Sequence, residues 1–473
     1  MASPPAPWTP AAVREALGLP ADSGTSRVAP PEHFPRICTD TRRLEAGDLF
    51  VAIRGPNFDG HDFLSEAAAR GAGGAVVHRS APAEDLLPLF PVDDTLRALG
   101  ALALHRRRTL TATVVAITGS SGKTTVKELL RAALTTSFRT HATRGNLNNR
   151  IGLPLTLLET PADTEVLVAE LGTNEPGEIE TLARITEPEI AIVTTVGESH
   201  VERLGSLEGV LREKLSLLNV LTEEGHAIVG DEPAILPREA LARRPERTTI
   251  TGLSPRADEA WRAERTGADA EGRWTLRLAS FDFTAPLPGG HGARNTLLAL
   301  AGAERLGVTR DDAMRGFQKV ELPALRGEIR RIGGLELILD CYNANPQSTR
   351  AALERLADHP AAGRRVAVLG SMLELGNRSP ALHEALLDEA MKSGFDMVVA
   401  VGDFARAAEG TGREGIRGEE PLLLVAVDAH EAFERLRPHL GGDEVILLKA
   451  SRGVALEQML PHFEESFGSE EAD

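Results

Sequence analysis

The sequence predicts an α/β protein with three domains. A chain of 473 residues is too long for a single hydrophobic core, and this length suggests about three domains. Short, nearly continuous apolar runs recur between segments with helical spacing, a pattern typical of parallel sheets covered by helices. We therefore expect a small α/β domain over residues 1–110, a central parallel-sheet domain over 111–325, and a Rossmann-like, doubly wound domain over 326–473.

The overall charge and the cysteine content exclude several classes of protein. The net charge of -17 is spread along the chain, which argues against a nucleic-acid partner, because such a surface needs clustered Lys and Arg. Two lone cysteines, Cys38 and Cys341, exclude a disulfide framework and favour the reducing cytoplasm. The N-terminus lacks the pattern of a signal peptide, and no run approaches the roughly 18 apolar residues of a membrane span. We expect no membrane insertion.

The N-terminal domain begins with a predicted helix over 10–17, for which Thr9 is the N-cap and Pro10 the first helical residue. Strands are predicted at 49–53, behind a Gly-Asp turn, and at 74–77, after an alanine-rich helix. Two polar loops contain Arg42 and His61. These residues alone favour ordinary solvated loop side chains.

The central domain begins with a stretch that predicts a phosphate-binding loop. Residues 113–117 are β-branched or small apolar residues typical of a buried strand, Gly119 and Gly122 break that pattern, and helical spacing resumes at 126–134. Free backbone N–H groups and a helix N-terminus suit phosphate oxygens. Lys123 would reach the β- and γ-phosphates, and Thr124 would bind Mg²⁺. The alternative is an ordinary strand–turn–helix junction with a surface lysine, since Ile117 replaces the usual first glycine.

Further polar residues follow predicted strands of the same domain. Glu170 ends a buried strand over 165–172, and His200 follows a second strand over 189–195. Because ligands of parallel sheets lie at the carboxyl ends of strands, the two side chains can converge with the phosphate loop on a metal site. Separately they would be a cap and a loop histidine. Lys214 lies on a predicted helix, where the default interpretation is a solvated lysine.

The asparagines of 146–149 suit either a polar ligand or a plain turn. Residues 221–288 contain weaker strands and turns that the pattern does not assign. The segment His291–Asn295 then opens an apolar helix predicted over 296–306. In the C-terminal domain, strands are predicted at 335–339, 365–370, 397–402 and 444–449, and no second phosphate loop follows any of them.

Together these motifs resemble the Mur ligase family of ATP-dependent enzymes that form amide bonds. The resemblance covers nearly the whole chain, and it explains the form of the phosphate loop. The motifs that carry it are 39–42 with 47–52 and 59–61, 118–124, 146–156, 340–346 and 368–376. Two positions depart from the family pattern: Gly292 replaces an asparagine, and Leu325 stands where Gly-Arg-x-Glu begins with glycine.

The resemblance implies roles for particular residues. ATP would be bound by Gly119, Ser120, Ser121, Gly122, Lys123, Thr124, Thr125, Asn295, Arg326 and Asp340. The other substrates would contact Thr41, Arg42, Asn148, Asn149, Asn343, Asn345, Lys449 and Arg452. The metal ligands would be Thr124, Glu170, His200 and Lys214, the last as a carbamate, and the catalytic residues Lys123, His200 and Lys214.

The activity implied by the resemblance is ATP-dependent ligation through an acyl phosphate, with Mg²⁺ as cofactor. Within the family, the motifs at 340–346 and 368–376 are similar to the branch that joins D-alanyl-D-alanine to UDP-N-acetylmuramoyl-tripeptide in cytoplasmic peptidoglycan precursor synthesis. A monomer is expected. The alternatives are a diamino-acid-adding or folylpolyglutamate-type ligase of the same family, and a P-loop nucleotide switch that is not a ligase.

Overall fold

Four sheets organise the chain in the computed structural model, which describes residues 8–21, 28–55, 58–80, 86–360, 363–409 and 421–468. Three sheets are wholly or mainly parallel and one is antiparallel, so the predicted α/β class is confirmed. Within the described ranges, no helix combines the length and the apolar character needed to cross a membrane.

The N-terminal domain has a small parallel sheet in chain order. Its strands are β1 (Ile37–Cys38), β2 (Leu49–Val51), β3 (Gly74–His78) and β4 (Leu89–Val92), and its helices are α1 (Pro10–Leu17), α2 (Leu64–Ala69) and α3 (Thr95–Thr109). Helix α1 begins as the sequence predicts: the Thr9 side chain accepts a hydrogen bond from the Ala12 N–H at 3.1 Å, and Pro10 occupies the first position.

The central sheet is entirely parallel, in the order β10-β9-β8-β5-β7-β6. Its strands are β5 (Thr113–Thr118), β6 (Thr140–Ala142), β7 (Val166–Glu170), β8 (Ile190–Val193), β9 (His226–Gly230) and β10 (Thr248–Thr251). The helices are α4 (Lys123–Leu134), α5 (Gly152–Glu159), α6 (Glu178–Thr186), α7 (Val201–Leu204), α8 (Leu207–Val220) and α9 (Ile235–Arg243). Strand β5 lies between β7 and β8, so the strand order reverses beside it. Such a reversal opens a crevice at the carboxyl ends of the strands.

The stretch that sequence patterns did not assign contains both sheet-edge elements and a separate antiparallel sheet. Strands β9 and β10 extend the central sheet, whereas β11 (Ala263–Ala268), β12 (Arg273–Leu278) and β13 (Phe281–Pro288) form a three-stranded meander. Helices α10 (Gly289–Arg305) and α11 (Arg310–Phe317) follow. The segment 291–295 therefore lies within the first two turns of α10, not before the helix as predicted.

The C-terminal sheet has the order β14-β15-β19-β16-β17-β18, and all its pairings are parallel except β14 with β15. Its strands are β14 (Glu328–Ile332), β15 (Leu335–Asp340), β16 (Arg365–Leu369), β17 (Met397–Val401), β18 (Leu422–Ala426) and β19 (Val445–Lys449). Its helices are α12 (Pro346–Ala357), α13 (Ser379–Met391), α14 (Asp403–Ala408), α15 (Ala429–Leu436) and α16 (Leu460–Phe467). Apolar clusters cover both faces of this sheet, which gives the doubly wound architecture.

Candidate active site

A cavity of about 550 Å³ lies where the central and C-terminal sheets face each other. One wall, which we call the phosphate-loop wall, comes from 121–125, 146–149, 170–178 and His200 together with the start of α10. The other, the C-terminal wall, comes from 326–355, 373–374 and 449–453. The carboxyl ends of β5, β7, β15 and β19 therefore meet at one place, as expected for ligand sites of parallel sheets.

The backbone of the phosphate loop needs both of its glycines. Gly119 has φ 151°, and a Cβ there would lie 1.9 Å from Thr194 Oγ1. Gly122 has φ 81°, and a Cβ there would lie 2.5 Å from Asn295 Oδ1. Helix α4 starts at Lys123 without a side-chain cap, so the first N–H groups of the helix remain available to an anion.

Lys123 is folded back over the loop it follows. Its Nζ donates a hydrogen bond to the Gly119 carbonyl oxygen at 2.8 Å, and the residue is half-buried at the cavity surface. Burial lowers the pKa of Lys123, and the nearby Glu170 carboxylate opposes that change. The cation is therefore placed close to where phosphate oxygens would lie.

Glu170 has one satisfied and one unsatisfied carboxylate oxygen. Oε1 accepts hydrogen bonds from Thr124 Oγ1 at 3.2 Å and from Asn148 Nδ2 at 2.8 Å, and the residue is 1% exposed. Oε2 is buried and accepts no hydrogen bond from any described residue; Lys127 Nζ is 3.7 Å away. An orphaned carboxylate oxygen beside a threonine hydroxyl fits the oxygen-donor preference of Mg²⁺. The described residues include no cluster of three or more His, Cys, Asp or Glu side chains, so other oxygens must complete such a site.

Lys127 is a buried cation that sequence reasoning missed. It is fully buried, and its Nζ donates to the Thr143 carbonyl oxygen at 2.7 Å and lies 3.0 Å from Glu128 Oε1. This amine therefore ties α4 to the loop that carries the asparagines and lies behind Glu170. Helical spacing was the only available signal. It does not distinguish a buried lysine from a solvated one in a helix that contains both polar and apolar residues.

Lys214 is not the solvated helix lysine that is the default for its position. It is 1% exposed, and among the described residues its Nζ has no hydrogen-bond or ion-pair partner. Burial lowers its pKa well below the usual value, and the charge of Lys123 acts in the same direction. Burial of this kind disfavours the charged form of an amine.

On the C-terminal wall, Lys449 holds the loop that follows β15. Its Nζ donates to Asp340 Oδ2 at 2.7 Å and to the Asn343 carbonyl oxygen at 2.8 Å, and the residue is 2% exposed. Arg326 stacks above Tyr342, with Cζ 4.0 Å from the ring centroid. Asp340, Asn343, Arg326 and Lys449 all line the cavity, and Lys449 also holds Asp340 in place.

Polar side-chain contacts join the central and C-terminal domains beside the cavity. Asn345 caps α12 and its Nδ2 donates to the Ser120 carbonyl oxygen at 3.3 Å, while Gln347 Nε2 donates to Thr195 Oγ1 at 2.7 Å. Arg378 pairs with Glu198 at 2.7 Å. His200 Nδ1 lies 2.5 Å from Glu374 Oε2, an ion-pair distance without the alignment of a hydrogen bond.

The remaining predicted residues divide into three groups. Ser121, Thr125 and Asn149 line the cavity; Asn149 Oδ1 also accepts hydrogen bonds from the N–H groups that start α5. Arg452 lines the cavity and pairs with Glu457 at 2.5 Å. The cavity lining does not include Gly119, Ser120 or Lys214, all three of which are buried. Thr41 and Arg42 lie outside it in the N-terminal domain, where Arg42 pairs with Asp40 at 2.7 Å.

Three further lining residues received no role from the sequence. His291 is half-buried, and burial lowers its pKa to about 4, so it is neutral at physiological pH. Tyr342 and Glu374 were visible only as members of longer motifs. Each lies in a segment that is close to the phosphate loop in space but distant in sequence, and no local pattern contains that information.

Three family models match successive parts of the chain. They are described as "Mur ligase family, catalytic domain" over residues 33–107, "Mur ligase middle domain" over 117–303, and "Mur ligase, glutamate ligase domain" over 325–452.

Known proteins match over nearly the full length. The UDP-N-acetylmuramoyl-tripeptide–D-alanyl-D-alanine ligase of Escherichia coli is 37% identical over 440 residues, covering 91% of this chain and 94% of the relative. The crystal structure of MurF from Acinetobacter baumannii superposes with a TM-score of 0.88 at 30% identity, covering 98% of this chain and all of that one. MurF ligase from Thermotoga maritima, solved in complex with ADP, has a TM-score of 0.80 at 29% identity and covers 91% and 97%.

Proposed function

The chain belongs to the Mur ligase family, and from that premise we propose that it joins D-alanyl-D-alanine to UDP-N-acetylmuramoyl-tripeptide, with ATP converted to ADP and phosphate. It is an ATP-dependent ligase. The observation that carries the proposal is the cavity itself, where a phosphate loop and a buried carboxylate face loops of the C-terminal domain. We also propose the domain boundaries 1–110, 111–325 and 326–473, a monomeric state and a cytoplasmic location.

Transfer of phosphate to a carboxylate requires positively charged groups on the phosphate-loop wall. An oxygen of the tripeptide carboxylate attacks the γ-phosphorus of ATP, and the bond to the ADP oxygen breaks, which gives an acyl phosphate. Attacking carboxylate and triphosphate repel each other, so preorganised positive groups must stand beside both. Lys123 is in position for this role, since it already lies over the loop and is partly desolvated.

Mg²⁺ would be held by the Thr124 hydroxyl and Glu170, with His200 on the same cavity surface. When bound, the ion neutralises the phosphate charge and polarises the phosphorus–oxygen bonds. Asn148 fixes the orientation of the Glu170 carboxylate, and Lys127 stands behind it. These buried neighbours keep the carboxylate in place before any ligand arrives.

Lys214 is proposed to become a carbamate. The unprotonated amine can attack CO₂; the new N–C bond forms, one C=O bond of CO₂ becomes a C–O⁻ bond, and the nitrogen loses a proton, so the side chain ends in a carboxylate-like oxygen donor. The burial of Lys214 and its lack of a partner within the described ranges support this step, because only the unprotonated amine is nucleophilic. A permanent cation there would instead repel a divalent ion.

The second half of the reaction uses the C-terminal wall. The amine of D-alanyl-D-alanine attacks the acyl carbon, the C–O bond to phosphate breaks, and the amine proton is lost to solvent or to phosphate. Asn343, Asn345 and Arg452 are candidates for orienting the dipeptide, and Asn295, Arg326 and Asp340 for holding ATP. Contacts between the two walls would exclude water, which otherwise hydrolyses the acyl phosphate.

In the N-terminal domain, Thr41 and Arg42 are proposed to bind the UDP part of the acceptor. The Arg42 side chain is 83% exposed, and its partner Asp40 belongs to the same turn. A guanidinium on a short, capped turn is free to exchange this carboxylate for a phosphate oxygen.

The proposal can be tested by measuring product mass and phosphate release together. The reaction contains ATP, Mg²⁺, UDP-N-acetylmuramoyl-tripeptide and D-alanyl-D-alanine, and each component is omitted in turn. We expect a joined product and stoichiometric phosphate only in the complete mixture. Product formed from UDP-N-acetylmuramoyl-dipeptide plus a diamino acid, or from a folate plus glutamate, would identify a different ligase. Slow ATP hydrolysis indifferent to both acceptors would instead identify a nucleotide switch.

A further inference from the structure

We propose that Glu374 is a positioning residue for His200: the carboxylate, contributed by the C-terminal domain, keeps the imidazole proton on Nδ1 and leaves Nε2 as the accepting nitrogen. This inference rests on the proposed function, because that function brings a nucleotide next to His200 and so gives the accepting nitrogen a role. The motivating observation is the 2.5 Å separation between His200 Nδ1 and Glu374 Oε2 across the two walls of the cavity.

Both residues of this pair occupy an unfavourable backbone conformation. His200 has φ 54° and Glu374 has φ 64°, so both are in the left-handed region, although neither is a glycine. Such conformations are unfavourable for residues other than glycine and persist where the surrounding structure imposes them. Two strained residues face each other across the cavity, which indicates that the surrounding structure fixes the positions of their side chains.

The loop that carries Glu374 is fixed from several sides. The Met372 N–H donates to Nε2 of the buried His383 at 2.9 Å, and His383 Nδ1 in turn lies 2.7 Å from the Ser379 carbonyl oxygen. The Leu373 N–H donates to Ser451 Oγ at 3.0 Å. Glu374 itself contacts the central domain through its backbone, since its carbonyl oxygen accepts from the Glu202 N–H at 3.3 Å.

The chemistry of imidazole makes this pairing consequential. A neutral histidine carries its proton on one nitrogen only, and a carboxylate beside Nδ1 selects the tautomer with the lone pair on Nε2. Metal-binding histidines commonly have such a partner, whose loss typically costs 10–100-fold in metal affinity or activity. The present contact is not fully aligned, and catalytic hydrogen bonds often tighten only when the substrate is bound.

The pairing also couples the site to the arrangement of the domains. His200 follows β8 of the central sheet, whereas Glu374 follows β16 of the C-terminal sheet. The tautomer is therefore selected only while the C-terminal domain is docked. Domain closure would then complete the nucleotide site as well as exclude water from it.

The first test reads the tautomer directly by NMR of full-length protein with ¹⁵N-labelled histidine, saturated with ADP in the absence of Mg²⁺. The His200 signal is assigned by its loss in His200→Gln. We expect Nδ1 protonated in the wild type and in Arg378→Ala, which removes a neighbouring interdomain ion pair. Glu374→Ala should move the proton to Nε2. An unchanged tautomer in Glu374→Ala would overturn the proposal.

The second test measures ADP binding at increasing Mg²⁺ by calorimetry. The Mg²⁺ concentration that gives half of the maximal enhancement of ADP binding should rise about 10-fold or more in Glu374→Ala. It should rise less in Glu374→Gln and should not change in Arg378→Ala. In a His200→Ala background, Glu374→Ala should add nothing further. Equal shifts in Glu374→Ala and Arg378→Ala, or additive effects with His200→Ala, would show that Glu374 only fastens the domains together.

These measurements need no amide product, so they separate this inference from the proposed function. A wild type that selects the Nδ1 tautomer but forms no product would contradict the function alone. Product formation with an unchanged tautomer in Glu374→Ala would contradict the inference alone.

Discussion

The two walls of the cavity are held in place in different ways. On the phosphate-loop wall, Thr124, Lys127 and Glu170 are each 3% exposed or less, and their partners belong to the same domain. The C-terminal wall is also fixed internally, by Lys449 against Asp340, but only a few polar contacts attach it to the opposite wall. The groups proposed to bind phosphate and Mg²⁺ are therefore held within one domain, whereas the groups proposed to close over the substrates depend on contacts between domains.

Lys123→Ala should give the largest effect, because it removes the cation from the preformed wall at the point where charge moves. We expect kcat to fall at least ~10³-fold while the melting temperature changes little, since Lys123 is only half-buried and its Nζ donates to a backbone oxygen. Steady-state kinetics and a thermal melt measure the two quantities. Lys319→Ala, an exposed lysine of the same domain, is the control. Near wild-type turnover in Lys123→Ala contradicts the assignment.

Lys214→Arg tests whether the buried Lys214 acts as a carbamate. Arginine keeps a positive charge but cannot react with CO₂, so we expect kcat to fall at least ~10²-fold in Lys214→Arg and in Lys214→Ala. Formate or acetate should restore part of the activity to Lys214→Ala, because a small carboxylate can occupy the vacated space. A fully active Lys214→Arg would remove the carbamate from the account.

Lys127→Met tests whether the phosphate-loop wall depends on its buried cation. The change leaves the Thr143 carbonyl and Glu170 without the ammonium group, and breaking such a buried pair costs about 3–5 kcal/mol. Denaturant unfolding should show this loss, with reduced Mg²⁺-dependent ADP binding. Arg131→Met on the same helix, where the side chain is 41% exposed, should change the unfolding free energy by less than ~1 kcal/mol. Equal losses of unfolding free energy in the two variants would show that Lys127 stabilises the wall no more than the exposed Arg131 does.

Gln347→Ala is expected to have the smallest effect, and it addresses the docking of the C-terminal wall. One interdomain hydrogen bond is lost, and Thr195 Oγ1 keeps its second contact, with the Glu232 carbonyl oxygen at 2.9 Å. The cost should be about 0.5–1.5 kcal/mol. It should appear as a few-fold rise in the KM for D-alanyl-D-alanine, with ADP affinity unchanged. Arg350→Ala lies on the same helix but pairs within the C-terminal domain, and it should leave both quantities unchanged.

The contrast between the walls also describes how much could be predicted from the sequence. The phosphate loop and Glu170 follow strands of one sheet, so a local pattern together with the rule for parallel sheets places them correctly. The contact from Asn345 to Ser120 spans 225 positions, and that from Glu374 to His200 joins two domains. No periodicity within either segment contains such a pairing.

Burial of charge was the other source of error. Lys127 and Lys214 lie on helices whose sequences also suit a solvated face, and the family resemblance alone distinguished Lys214. Their burial results from helices and loops packed over them from elsewhere in the chain. The antiparallel meander over 263–288 was missed for a related reason: its strands are half exposed, so their pattern is weak.

The central claim is that the cavity activates a carboxylate by transferring phosphate to it. The most direct measurement uses UDP-N-acetylmuramoyl-tripeptide labelled with ¹⁸O in its terminal carboxylate, with ATP, Mg²⁺ and D-alanyl-D-alanine. If the carboxylate oxygen attacks the γ-phosphorus and phosphate later leaves the acyl carbon, one ¹⁸O atom must appear in the released phosphate for each amide formed. Mass spectrometry of that phosphate should show this stoichiometry. Unlabelled phosphate released together with amide product would contradict the acyl-phosphate account.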